Sequence, residues 1–198
     1  MNYVQQIDNE LKRSYGIITS EFLRNNNIPF IYLTQKVRKG ELEKVSRGIY
    51  VAPDGDYDEL YFYQLRYKKA IFSHLTSLRL LNATESLPYK IYVTVYDGYK
   101  FNHKDDSVEV KYVPKNVYNL GVVEVETPFG NKVKAYSYER TLCDFLKNKK
   151  GIDPETYEKT IKGYKYYDQK NIGLLLKLAK QLKVFNKLED VVEITYDD

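Results

Sequence analysis

The sequence predicts an α+β protein, and three observations predict it. Apolar residues recur at helical spacing in residues 2–13 and again through the C-terminal third. Short segments between these parts alternate apolar and polar residues and are rich in β-branched and aromatic types, as strands are. Glycine and proline residues occur in the chain between segments with the helical pattern and segments with the strand pattern. The alternating segments are residues 90–96, 107–113 and 122–126.

A domain boundary is predicted near residue 55. The segment Ala52-Pro53-Asp54-Gly55-Asp56 is rich in turn-forming residues and follows a complete helix-and-ribbon unit. We therefore predict a small N-terminal domain over 1–55 and a mixed α/β domain over 56–198.

Residues 28–51 predict one helix followed by a two-stranded ribbon. Pro29 suits the first turn of a helix, and Phe30, Leu33 and Val37 then share one face, which we expect to pack inward. Gly40 is suited to end this helix in a left-handed conformation. Two strand-like runs follow, and the turn Ser46-Arg47-Gly48 joins them.

A second helix is predicted immediately upstream. Thr19-Ser20 offers an N-cap, and the run Asn25 to Asn27 separates this helix from the one that follows. Two helices with a tight break and a ribbon predict a winged helix-turn-helix domain. Such domains place the second helix in the major groove of DNA, although similar units also serve as protein-interaction modules.

Candidate DNA contacts follow from position on the predicted helix and ribbon. Side chains in the N-terminal half of the second helix meet base edges, whereas basic residues hold phosphates. The predicted base contacts are Tyr32 and Gln35, and the predicted phosphate contacts are Lys36, Arg38, Lys39 and Arg47.

The C-terminal domain is expected to contain a four-stranded, mixed or antiparallel sheet and a helical final third. A turn at Thr127 to Asn131 predicts a hairpin that adds residues 132–137 to the three strands above. The helices are expected to begin after Ser137, after Asp153, at Asp168 and near Phe185.

Composition favours a soluble, cytoplasmic protein with no membrane span or signal peptide. The net charge is +4, but the last ten residues hold five acidic residues and no Lys or Arg. The rest of the chain carries 31 basic against 22 acidic residues, which is compatible with a polyanionic partner.

Most catalytic and cofactor patterns are missing from the sequence, so we expect no enzyme activity, metal or cofactor. His74 is interpreted as a capping or packing residue and Cys143 as part of an apolar helix face. The alternative hypothesis is a Mg²⁺-dependent, restriction-like nuclease, because Asp97 is followed by Glu109-Val110-Lys111.

Several motifs occur in an order that resembles one family. These are Arg-Gly-Ile-Tyr-Val at residues 47–51, Ser-His-x-Thr at residues 73–76 and Glu-Arg-Thr-x-Cys-Asp at residues 139–144. In this order the chain resembles the AbiEi antitoxins of bacterial abortive-infection toxin-antitoxin systems, from about residue 15 to 195.

The resemblance implies an N-terminal winged helix that represses its own operon and a C-terminal domain that is needed for antitoxicity. It also implies a type IV system, in which the antitoxin counters a nucleotidyltransferase-like toxin without forming a stable complex. The expected partner is double-stranded DNA, with two copies of the protein on an inverted repeat at the protein's own promoter.

Overall fold

A computed structural model describes residues 2–53, 55, 57–102, 106–188 and 191. Spatial contacts divide the chain into two compact units. The first contains Met1–Lys68 and Glu126–Val133, and the second contains Lys69–Val125 and Lys134–Asp198. The domain limits 1–55 and 56–198 stay a prediction.

The first unit combines four helices with a three-stranded antiparallel sheet. The sheet has the order β1-β3-β2, and β1 was not predicted because three residues are too few to show an alternating pattern. In chain order the elements are α1 Tyr3–Arg13, β1 Ile17–Thr19, α2 Ser20–Asn25, α3 Ile31–Arg38, β2 Glu43–Ser46, β3 Ile49–Val51 and α4 Glu59–Arg66.

The ends of α2 and α3 follow the sequence closely, with one correction. The Thr19 hydroxyl accepts a hydrogen bond from the Phe22 amide, and Gly40 ends α3 with φ of +73°. Phe30, however, precedes the first residue of α3 and leaves 49% of its surface exposed. The prediction that it packs inward is therefore wrong, because the Phe30 ring lies at the surface, with its centre 6.2 Å from that of the Tyr50 ring at the edge of the core.

A hydrophobic core lies on one side of α3. Leu33 is completely buried in it, and Tyr32 and Val37 pack against its edge. Because α3 buries this side, its other side is left to solvent. The core residues are Ile7, Ile18, Leu23, Ile28, Leu33, Leu42 and Tyr50.

A buried polar cluster connects the two chain segments of the first unit. The Asp58 carboxylate caps α4 by accepting a hydrogen bond from the Tyr61 amide, and it also accepts from the Thr127 hydroxyl and the Asn131 amide. The same Asn131 amide donates to the Ser14 carbonyl oxygen. Residues 126–133 thus supply hydrogen-bond partners for Asp58 and for the Ser14 carbonyl oxygen.

The second unit is built around a five-stranded mixed sheet. The strand order is β6-β5-β4-β8-β7, with β5 parallel to β6, β4 antiparallel to β5 and β4 parallel to β8. The elements are β4 Ile71–Phe72, α5 His74–Leu80, β5 Ile91–Tyr96, β6 Val108–Val113, β7 Val122–Glu126, β8 Lys132–Tyr136, α6 Tyr138–Lys147, α7 Pro154–Tyr166 and α8 Ile172–Gln181.

The predicted sheet of four strands is corrected to five by this topology. The additional strand, β4, has only two residues, yet it occupies the centre of the sheet. Both of its residues are buried, so the sequence shows a short apolar run with no alternation.

Two helix starts are confirmed and one is wrong. Side chains of Ser137 and Asp153 cap α6 and α7 as predicted. The helix expected from Asp168 begins instead at Ile172, because the Asn171 side chain accepts a hydrogen bond from the Leu174 amide. Of the helix expected near Phe185, a single 3-10 turn at Phe185–Lys187 is observed.

The C-terminal part of that predicted helix and the acidic tail lie largely outside the described residues. Within the described ranges, no helix is long and apolar enough to cross a membrane.

The Glu-Arg-Thr-x-Cys-Asp motif lies on α6, and its polar side chains are buried. Glu139 accepts hydrogen bonds from the Tyr164 hydroxyl at 3.1 Å and from the Asn171 amide at 2.8 Å, so it joins α6 to α7 and to the start of α8. The Thr141 hydroxyl lies 2.9 Å from the Ser77 hydroxyl on α5. These residues therefore connect α6 to its neighbouring helices.

Arg140 is the largest fully buried side chain of the described residues. Its Nη1 donates to the carbonyl oxygens of Val117 and Leu120 at 2.7 and 2.6 Å, and its Nε lies 3.1 Å from both oxygens of Asp144. The guanidinium carbon is 4.1 Å from the centre of the Tyr136 ring. Arg140 thus holds the segment before β7 against α6.

Replacing Arg140 with Met should lower the free energy of unfolding by about 3 kcal/mol, because a buried carboxylate and two carbonyl oxygens lose their partner. Urea-induced unfolding measures this loss. Arg79→Met is the control, since Arg79 is exposed on α5 and donates to the Thr84 carbonyl oxygen at its surface. Equal losses in the two variants would contradict the structural role of Arg140.

His74 opens α5 in a buried environment. Its ring stacks on Tyr92, with 5.7 Å between ring centres, and its Nδ1 lies 3.0 Å from the Ser73 hydroxyl. Burial, together with the positive charges of Lys111 and Arg140, lowers the pKa of His74 to about 4, against a smaller opposing effect of Glu109. The imidazole is therefore neutral at pH 7.

The lowered pKa makes stability depend on pH. Between pH 6.5 and about 4 the unfolded chain binds one proton more at His74 than the folded chain does. Stability should therefore fall as the pH drops through this window, by roughly 1 kcal/mol per pH unit from this group. Urea unfolding at several pH values should show a shallower dependence for His74→Asn than for the unaltered chain. Identical dependences would refute the assignment.

Candidate nucleic-acid interface

The outer face of α3 carries polar and cationic side chains. Ile31, Gln35 and Arg38 lie at i, i+4 and i+7 and are exposed, and Thr34 beside them is partly exposed. This face is a consequence of the burial of Leu33 on the opposite side of the helix. It combines an amide able to pair with a base edge with a guanidinium able to meet a phosphate.

The C-terminal end of α3 adds a second cation. Gly40 has a positive φ, so the helix stops directly after Arg38 and Lys39. The Lys39 side chain is 71% exposed, and its amine lies 4.0 Å from Glu41, at the limit of an ion pair. Such a contact contributes little, so the Lys39 charge is available to a partner.

Arg47 lies in the turn between β2 and β3 and is exposed. The turn adopts a fixed conformation, because Gly48 has φ of +75° and its carbonyl oxygen accepts a hydrogen bond from the Ser20 amide at 2.8 Å. The guanidinium of Arg47 is therefore presented next to the start of α2.

Two predicted contact residues have different surroundings from the other four. The Lys36 amine lies 2.8 Å from Asp8 on α1 and 2.8 Å from Glu41, and its side chain is only 14% exposed. Tyr32 packs against the core, with its ring centre 5.3 Å from that of Tyr3 on α1. Both residues join α3 to α1, whereas the sequence suggested only an outward orientation.

A basic cleft that we did not predict lies between α2 and the ribbon. It has a volume of about 470 Å³ and is lined by four cationic side chains and one acidic side chain, Glu21. Lys68 is paired with Glu21 at 2.9 Å, which leaves three cations without an ion pair among the described residues. The cations that line the cleft are Arg24, Lys44, Arg47 and Lys68.

A sequence signal for this cleft existed in the basic residues of α2 and β2. The predicted phosphate contact outside α3 is the turn of the ribbon, where Arg47 lies, and that prediction does not include Arg24 and Lys44. Lys68 could not be placed from sequence, because it follows α4 and approaches the cleft only through the fold.

The arrangement that the nuclease hypothesis requires is not formed. In the parallel pair β5–β6, Tyr92 lies opposite Glu109 and Tyr96 lies opposite Val113. Asp97 is therefore displaced by about five residues from Glu109, which is about 16 Å along a strand. One Mg²⁺ ion cannot bridge that distance. Moreover, within the described ranges no cluster of three or more His, Cys, Asp or Glu side chains could hold a metal ion.

The surroundings of Lys111 and Cys143 also differ from those that a catalytic residue requires. The Lys111 amine lies 3.0 Å from the Glu109 carboxylate on the same strand, and the Lys90 amine lies 3.8 Å from the same carboxylate, so Glu109 is engaged by two lysines. Cys143 is completely buried, and burial raises the pKa of its thiol to about 12. The thiolate that a nucleophile requires is therefore not formed at neutral pH.

The comparison with protein families concerns the same N-terminal unit. Residues 5–53 match a family model described as a transcriptional regulator. The particular family is that of the AbiEi antitoxins, and the match covers about a quarter of the chain. The resemblance inferred from the sequence is therefore confirmed for the N-terminal part, and for the rest of the chain it stays a prediction. This family is regulatory rather than enzymatic. No curated protein matches the chain.

Proposed function

We propose that the protein is the antitoxin of a type IV toxin-antitoxin system and represses its own operon by binding DNA. In this proposal the first unit acts as a winged helix-turn-helix. The order α1-β1-α2-α3-β2-β3 supports it, with α2 and α3 as the helix pair and β2–β3 as the wing.

The outer face of α3 is the observation that carries the proposal. It lies within the segment that matches a family of transcriptional regulators, and it presents an exposed Gln35 amide and an Arg38 guanidinium that has no ion-pair partner among the described residues. Gln35 is assigned to base edges, since a glutamine amide pairs with adenine in the major groove. Thr34 and Ile31 are the neighbours through which α3 would contact the same bases.

Phosphate contacts are assigned to Arg38, Lys39 and Arg47. The unpaired cations of the cleft, Arg24 and Lys44, add positive charge next to Arg47. Tyr32 and Lys36 are assigned to holding α3 on α1, because Lys36 reaches a phosphate only if it leaves both of its ion pairs.

The remaining assignments rest on the family alone. The second unit is proposed to counter a nucleotidyltransferase-like toxin without forming a stable complex, and two copies of the chain are proposed to occupy an inverted repeat in the upstream DNA. The gene next to this one should then encode such a toxin.

Binding of the full chain to the DNA upstream of its own gene tests the proposal. In gel-shift experiments we expect the complex to persist in an excess of scrambled DNA and to be removed by unlabelled upstream DNA. If both competitors remove the complex equally well, sequence-specific repression is refuted.

The salt dependence of binding tests the phosphate contacts separately. Each phosphate contact contributes about 0.9 to the slope of log K against log salt concentration. Lys39→Gln and Arg47→Gln should each reduce the slope by about one. Lys12→Gln is the matched control, since Lys12 is also an exposed lysine in the last turn of a helix. Lys36→Gln should also leave the slope unchanged, and a slope reduced only in Lys36→Gln would reverse our assignment.

A further inference from the structure

A cleft of about 510 Å³ lies within the second unit. Its lining comes from the sheet, from α5 and α6, from the first turns of α7 and from the segment between α5 and β5. A volume of this size is typical of sites for small organic molecules. The proposed DNA contacts of the first unit use none of these residues, so the inference below does not rest on the proposed function.

His74 has a strained backbone at the edge of this cleft. Its φ is +51°, a left-handed conformation that residues other than glycine adopt reluctantly and that is often found at functional sites. The ring lies between Tyr92 and Phe145, with 5.7 Å between ring centres in each case. Nδ1 is next to the Ser73 hydroxyl, and Nε2 has no hydrogen-bond partner among the described residues. One ring nitrogen is therefore free to meet a ligand.

Four ionised side chains line the cleft, and their pairing decides which charge a ligand should have. Lys159 is neutralised by Glu155, with 2.6 Å between the charged atoms. The Asp153 carboxylate caps α7 by accepting from the amides of Glu155 and Thr156. Lys111 remains; its partner, Glu109, is outside the lining and also lies 3.8 Å from the Lys90 amine, so one carboxylate is shared by two ammonium groups. The cleft thus offers one ammonium group that is not neutralised by another lining residue.

Lys90, Lys111 and Glu109 together carry one net positive charge, so the potential beside them is positive. The charges of Lys111 and Arg140 both disfavour protonation of His74, and both act in the same direction as burial on its pKa. An anionic group bound beside Lys111 would lower this potential, and the free nitrogen of His74 would add a hydrogen bond. Charge-assisted hydrogen bonds of this kind are the strong ones.

Aromatic rings also line the cleft. Tyr92 and Phe145 lie beside His74, and Tyr89, whose side chain is fully exposed, lies at the opening. Ring faces of this kind bind planar heterocycles such as nucleobases by stacking.

We propose that this cleft binds a nucleoside monophosphate, with the phosphate beside Lys111 and His74 and the base stacked on the tyrosine rings. A single phosphate matches the single available ammonium group. Additional phosphates would approach the carboxylates of Asp153 and Glu155, so a triphosphate should bind more weakly than a monophosphate.

Isothermal titration calorimetry of the full chain with AMP, GMP, adenosine and inorganic phosphate tests the proposal. We expect at least one of the two nucleotides to bind with a Kd below about 1 mM. Adenosine and phosphate should each bind at least about tenfold more weakly, because each keeps only one of the two interactions. If neither nucleotide binds, or if phosphate alone binds equally well, the proposal is overturned.

Variants show whether the binding occurs in this cleft. Lys111→Gln should weaken nucleotide binding about tenfold or more. Lys177→Gln, which alters an exposed lysine on α8 outside the cleft, should not change it. His74→Asn keeps a residue type that tolerates a left-handed backbone and should also weaken binding. Equal affinity in Lys111→Gln and Lys177→Gln overturns the proposed position of the phosphate.

The histidine rings provide a readout that does not depend on affinity. The chain has only two histidines, His74 and His103, so a His103→Gln variant assigns both ring-proton signals in an NMR spectrum. We expect the nucleotide to shift the His74 signal. A nucleotide that binds without moving the His74 signal overturns the assignment of the cleft.

Discussion

The rotation of α3 about its own axis is the constraint on which the proposed interface depends. Leu33 is completely buried on one side, and the Lys36 amine is held between Asp8 and Glu41. A helix of eight residues with these two attachments has only one orientation that satisfies both. That orientation exposes Gln35 and Arg38, and the stop at Gly40 limits the helix to the length that keeps these residues near its end.

The second unit is organised by buried polar side chains rather than by an apolar helix face alone. Glu139, Arg140 and Thr141 are consecutive on α6, yet each bonds to a different part of the unit. Buried polar groups are costly unless they are paired, so this arrangement specifies how the helices and the sheet fit together. It also accounts for the Glu-Arg-Thr-x-Cys-Asp motif as a structural feature. The cleft beside His74 is a separate feature. It presents the strained residue His74 and the ammonium group of Lys111 to a possible ligand.

The sequence predicted those features that local chemistry determines. The caps at Thr19, Ser137 and Asp153 and the helix stop at Gly40 were confirmed, because each depends on neighbours within a few residues. The two-residue strand β4 was missed, since its position depends on strands far away in the chain. For the same reason the ion pair between Lys36 and Asp8 and the approach of Lys68 to the basic cleft could not be predicted. Helical spacing predicts which side of a helix faces the core, but it does not predict which residues from distant parts of the chain contact the other side.

The central claim is that the outer face of α3 reads DNA sequence. Its most direct test is the ratio of affinities for upstream and scrambled DNA, measured by fluorescence anisotropy for Gln35→Ala and for Gln5→Ala. Gln5 is an exposed glutamine on α1 and serves as the matched control. We expect the free-energy difference that corresponds to this ratio to fall by about 1–3 kcal/mol for Gln35→Ala, as the loss of one base contact requires, and the ratio to stay constant for Gln5→Ala. A ratio unchanged in Gln35→Ala, or reduced equally in both variants, would contradict the account.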